Sequence, residues 1–221
     1  TVTDMLRVHG ETHSYPTGIS VGPKHTLLSS WFSNTVQKID RKTGKLTATL
    51  GEFAAPVDAL EAADGSIYVA ELATGNLVKV SPDGKTRTNV VKELRGPVAL
   101  AQGTGTQIYV TEIAAGAVTQ IDVASGGRKV VADNLAGPEG IDVGPDGKLY
   151  VAEVGQKRVV AIDPANGNKV VIASNLDIGL APFPGGPPAL MPTGVAVSRS
   201  GAVYVSADIR NGLYKLTPPS P

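Results

Sequence analysis

There is no cysteine in these 221 residues, which removes disulfides, thiol catalysis and cysteine-based zinc centres together. Aromatic residues make up 5% of the chain, with one tryptophan, and histidine occurs three times, so imidazole chemistry has few places to occur. No stretch approaches the roughly 20 apolar residues that cross a bilayer as a helix, and no membrane span is expected. Neither sign of charge is in excess: 20 basic residues face 20 acidic ones, and charged residues are 18% of the total. That balance offers nothing to attract nucleic acid or an anionic membrane. The chain opens at Thr1 with neither a methionine nor a signal-like apolar segment, which reads as an upstream piece removed. A periplasmic or secreted home is expected ahead of a cytoplasmic one.

Glycine and proline are plentiful, at 26 and 16, and they recur at fixed places as turn chemistry does. Five segments align when each is started at a proline: Pro16, Pro56, Pro97, Pro138 and Pro192. The steps are 40, 41, 41 and 54 residues, and the last is lengthened by an insertion over 177–191. Each repeat breaks into short β-branched or alternating runs, as in Gly140 to Val143, Leu149 to Ala152, Val159 to Ile162 and Lys169 to Ile172. Asp64-Gly65, Asp146-Gly147 and Ser200-Gly201 separate the first two runs, and Asp83-Gly84, Ser125-Gly126 and Asn166-Gly167 the last two. These pairs suit tight turns with positive φ, so the runs are antiparallel strands joined by hairpins.

A four-stranded unit cannot bury both of its faces alone, and units of roughly 40–45 residues stack as propeller blades. The expectation is one all-β domain over 1–221: a β-propeller of five four-stranded antiparallel blades. Residues 1–15 take the place of a fourth, outermost strand, while the fifth repeat stops after three. Thr3 to Val8 is therefore expected to close the ring on the last blade. A second reading takes the chain as a fragment of a propeller with about six or more blades.

The run PEGIDVGPDGKLYVAE, from Pro138 to Glu153, resembles NHL repeats and the related propellers of the senescence-marker-protein/gluconolactonase and virginiamycin-lyase-like kinds. The resemblance covers nearly the whole chain and is specific for the repeat, whereas the scaffold carries lactonases, lyases and binding modules alike. It implies that ligands gather at a channel mouth, near the residue after each proline and the residue fourteen further on. The first set is Thr17, Val57, Val98, Glu139 and Thr193; the second is Trp31, Glu71, Glu112, Glu153 and Ala207, with Asp208 beside it.

Glu71, Glu112, Glu139 and Glu153 are thus expected to form an acidic rim, joined by Asp58, which stands where Gly18, Gly140 and Gly194 stand. Trp31 is the candidate for stacking a ligand. The competing reading of the glutamates is a strand cap that accepts backbone hydrogen bonds and was copied with the repeat. Val57 and Val98 supply no oxygen to a hard cation, so of the post-proline residues only Glu139 resembles a lactonase ligand. His9, His13 and His25 read as solvated surface residues.

The expected function is a binding or interaction module taking a small molecule, a cation or a peptide at the channel mouth. The alternative is a metal-dependent hydrolase or lyase of lactonase-like kind. It would use Glu139 and Glu153 as catalytic groups or as ligands of calcium, magnesium or zinc. The insertion, with Phe183, Leu190 and Met191, is read as a stiff loop near the mouth or a partner-contacting patch. Sequence leaves oligomeric state open.

Overall fold

The computed structural model describes residues 16–181 and 192–217. The expected closing strand at Thr3 to Val8, His9, His13 and the Phe183, Leu190 and Met191 part of the insertion lie outside the described residues. The chain divides into two compact units, Thr1–Leu94 and Arg95–Pro221.

The first unit holds two sheets. One is β1 (Gly18–Val21), β2 (His25–Ser30), β3 (Thr35–Asp40) and β4 (Leu46–Leu50); the other is β5 (Pro56–Glu61), β6 (Ile67–Glu71), β7 (Asn76–Val80) and β8 (Arg87–Val91). The second unit holds three. They are β9 (Pro97–Gln102), β10 (Gln107–Glu112), β11 (Ala117–Asp122) and β12 (Arg128–Ala132); β13 (Pro138–Val143), β14 (Leu149–Glu153), β15 (Arg158–Ile162) and β16 (Lys169–Ala173); and β17 (Val195–Val197), β18 (Val203–Ala207) and β19 (Gly212–Leu216).

In every sheet the strands follow chain order and each pair is antiparallel. This is the β-propeller fold, blade by blade. A single 3₁₀ turn, Val154–Gln156, is the only helical piece among the described residues, and no described helix is long and apolar enough to cross a membrane.

The hairpins close as their sequences require. Gly147 adopts φ +78°, a left-handed conformation that costs a residue with a Cβ but not glycine. Within a blade, alternate residues face opposite neighbours, and this is why both alternating sets are apolar. In the second unit Ile141, Leu149, Val151, Val160 and Ile162 of the fourth blade pack against Tyr109, Val118 and Val131 of the third. The opposite set, Tyr150, Ala152, Val159 and Ala161, packs against Val203 and Val205 of the fifth. In the first unit Leu27 and Val36 meet Ala59, Ile67, Val69 and Val80.

One register differs from the sequence alignment. The first blade turns from β1 to β2 through a tighter connection, with Gly22 N–H donating to His25 O at 2.8 Å; the fourth blade uses one residue more, Gly144 N–H to Lys148 O at 2.9 Å. All of β2 is therefore displaced by one residue. His25 begins β2 instead of lying in a solvated turn, and its side chain is only 17% exposed.

Leu149 is wholly buried between blades, so Leu149→Ala should cost about 2–5 kcal/mol of unfolding free energy by urea denaturation. Val170, 64% exposed on the outer strand of the same blade, should change by no more than about 0.5 kcal/mol on the same substitution.

Candidate functional site

Three glutamates end the second strand of their blades, and the geometry of each is the same. Glu71 Oε1 accepts from Ala54 N–H at 3.0 Å, Glu112 Oε2 from Arg95 N–H at 2.6 Å, and Glu153 Oε1 from Ala136 N–H at 2.8 Å. In each case the donor lies 17 residues upstream, in the loop that leads into the first strand of that blade. The second oxygen is engaged as well. Glu71 Oε2 takes the Thr74 hydroxyl at 2.7 Å, Glu112 Oε1 the Thr119 hydroxyl, and Glu153 Oε2 the Arg158 guanidinium at 2.6 Å. These carboxylates tie a loop to a strand end, and all three are buried.

Trp31 does not stand with them. Four residues past each glutamate comes a left-handed residue, Gly75, Gly116 or Lys157, whose carbonyl receives the amide of Leu94, Leu135 or Leu176. In the first blade that residue is Asn34, whose carbonyl receives Phe53 N–H. Counting back, Ser30 occupies the glutamate position and Trp31 follows it. The displaced β2 register is the cause, and no sequence alignment without a gap would find it. Trp31 packs edge-on against Phe32, with ring centroids 5.4 Å apart. Asp58 turns to the amide of its neighbour Ala59 at 2.8 Å.

Glu139 differs from its counterparts in residue type. After Pro56, Pro97 and Pro138 alike the first strand carries one extra residue, a bulge that turns the side chain following the proline inward, and Val57 and Val98 are buried there as Glu139 is. Glu139 is consequently 1% exposed, and its Oε2 accepts from Thr193 N–H at 2.7 Å, across the joint between the fourth and fifth blades. Gly140 permits the approach: a Cβ there would lie 2.3 Å from Thr193 O. Burial pushes the Glu139 carboxyl up to about 7, against the bonds from Thr193, and the charge of Asp208 adds to the rise.

Thr193 is fully buried. Its hydroxyl lies near enough to the carboxyl to favour the ionised form, yet has no partner at ordinary hydrogen-bond geometry. Only it and the Trp31 indole N–H are so placed among the buried polar side-chain atoms of the described residues. Asp208, half-buried, accepts from Gly179 N–H at 3.1 Å and Leu180 N–H at 2.7 Å through Oδ2. Glu139, Thr193 and Asp208 therefore converge at one end of the fourth and fifth blades, where Glu153 also ends its strand. Thr193 was visible in the sequence only as a post-proline residue. Its pairing with Glu139 depends on how one blade seats on the next.

Among the described residues, no group of three or more His, Asp or Glu side chains is arranged to hold a metal ion. Glu153 has Arg158 on one oxygen and a backbone amide on the other. The donor set beside Glu139 does not fit a divalent cation, which wants several converging oxygens.

Comparisons with known proteins agree with the geometry at the level of fold. A family model described as "Strictosidine synthase-like, N-terminal" matches residues 125–154, and no curated protein matches the sequence. Three solved structures resemble the chain over most of its length. A virginiamycin B lyase from Staphylococcus aureus has 16% identity and TM-score 0.66, over 93% of this chain and 71% of that one. A gluconolactonase from Xanthomonas campestris has 19% identity and TM-score 0.66, over 88% and 72%. A chain of a nidogen/laminin complex has 14% identity and TM-score 0.65, over 82% and 73%. The fold is theirs. Two of these proteins are named for catalysis and one for a complex, and at such identities the likeness extends to architecture alone.

Removing a buried, charge-paired carboxylate strands its partners. Glu153→Ala should lower unfolding free energy by about 3–5 kcal/mol, measured by chemical denaturation. Glu139 makes stability depend on pH. Its folded value of about 7 exceeds the ordinary 4.5, so the folded state holds a proton that the unfolded state has lost between those limits. Stability should then fall by about 3 kcal/mol as pH rises through that window. Glu139→Gln should lack this dependence, so that the difference between wild type and variant grows from pH 4.5 to pH 7.

Proposed function

We propose that this propeller is a binding module whose recognition site is the Glu139–Thr193–Asp208 end of the fourth and fifth blades. The ligand is a small molecule or peptide presenting a basic group. What carries the reading is the Thr193 hydroxyl, buried with no partner at ordinary hydrogen-bond geometry, beside a carboxyl that burial raises to about 7. A buried polar atom without a partner costs free energy that a ligand can return. A cationic group arriving there would favour the ionised carboxylate, and Asp208 supplies a second negative charge on the outward side.

The hydrolase or lyase reading draws on Glu139 in another way. An acid that titrates near 7 is suited to donating or accepting a proton at neutral pH. The described side chains around it supply no metal set, so that reading rests on Glu139 as a proton carrier. Glu153, tied to Ala136 and Arg158, serves it as a positioning group.

Calorimetric titration separates the two, using ethanolamine, a lysine-containing tripeptide and the chlorides of calcium, magnesium and zinc as probes. Saturable binding of an amine or the basic peptide is expected. Affinity should weaken about tenfold per pH unit below 7, because a proton on Glu139 competes with the cation, and Glu139→Gln should remove the binding. Saturable binding of a metal that disappears in Glu139→Gln, with no response to amines, would overturn both the basic-ligand reading and the metal-free form of the enzyme reading.

A further inference from the structure

A second buried carboxylate, far along the chain from the site above, has no counterpart in the other blades. Glu61 ends β5 with a side chain 1% exposed, and it reaches back to the first blade. Its Oε2 accepts from Lys24 N–H at 2.9 Å and His25 N–H at 2.8 Å, and its Oε1 meets His25 Nδ1 at 2.5 Å. Lys24 lies in the turn between β1 and β2, and His25 is the first residue of β2. Gly22 completes the cradle: a Cβ on it would lie 2.5 Å from both Cβ and Oε2 of Glu61. At the positions matching Glu61 the third and fourth blades carry Gln102 and Val143.

We propose that the Glu61–His25 pair is an acid-operated latch, which seats the β1–β2 hairpin of the first blade on the second and releases it in acid ahead of the blades it joins. The charged groups around it are few. On the hairpin stand Lys24 and His25. On β3, Asp40 is the register partner of His25, and next to it Arg41 donates to Gly22 O at 2.8 Å. On the second blade Asp64 is turned to Ser66 and lies 4.0 Å from Lys79. Among the described residues no other carboxylate accepts from the Lys24 or His25 amide, so none of them replaces Glu61 once it is neutral.

Burial alone would raise the Glu61 acid. The bonds from the His25 ring and from the His25 and Lys24 amides outweigh it and hold the acid below its ordinary 4.5. A carboxylate depressed in the folded state contributes stability that is present above the unfolded value and lost as pH falls through the folded one. The latch is therefore closed above about pH 4.5 and opens below it.

Much of the rest of the joint is held by groups that do not titrate, with Asp58 lying beside Gly18 of the first blade. The Ser20 hydroxyl donates to Ala59 O, the Ser29 hydroxyl donates to Val57 O at 2.8 Å, and Leu27 and Val36 pack on Val69 and Val80. Acid removes the hold on the hairpin tip and leaves the blade-to-blade contact standing, which makes the opening local.

Hydrogen exchange on the full chain, corrected for the intrinsic pH dependence of amide exchange, tests this. Between pH 7 and pH 3.5, protection at Lys24 and His25 should fall at least tenfold while Val69 and Val78 keep theirs. Glu61→Gln should show the loss already at pH 7 and no further change. His25→Asn should move the loss to higher pH. Parallel loss at Lys24, His25, Val69 and Val78 would overturn the proposal, as would wild-type pH dependence in Glu61→Gln. Should Glu61→Gln not fold, the wild-type series and His25→Asn decide.

Discussion

A sheet of four short strands has two faces and too little else to cover them. Each blade here is apolar on both sides, and each buried face is sealed by the next blade within its unit, as Ile141 and Val151 are by Tyr109 and Val118. From this follow the strict strand order, the near-absence of helix and the placing of chemistry at strand ends. A polar side chain in mid-strand would have to be buried against a neighbour. Functional groups are left to the loops and the residues beside them.

Those loops must themselves be held, and the repeat does it with a carboxylate. Glu71, Glu112 and Glu153 each take an amide from the loop entering their own blade. A recurrent acid here reports a recurrent mechanical need, because copying the blade copies the loop. The residues that depart from the repeat carry more information about chemistry. Glu139, a carboxylate where the second and third blades bury Val57 and Val98, meets Thr193 on the next blade; Asp208 grips the segment leading into the longer connection; Glu61 reaches to a neighbouring hairpin.

Much of the architecture was legible because it rests on local rules. The strand runs around Leu149 and Val159, and the positive φ at Gly147, follow from β-branched patterning and turn chemistry that any single repeat displays. The candidate site was legible only as residue types at an expected end of the blade. Glu139 stood out as the one carboxylate after a proline, but nothing nearby in sequence announced its burial. Trp31 was misaligned by the one-residue difference in the first turn, and His25 was read as solvated because its partner Glu61 lies 36 residues away.

By itself the sequence determined the repeat, the antiparallel blades and the acids at the strand ends, since hydrophobic periodicity and turn propensity act over a few residues. Only the tertiary structure decided what those acids do. Whether a carboxylate is neutral or ionised depends on burial and on donors brought from another blade, and such contacts form only when one sheet has settled on the next.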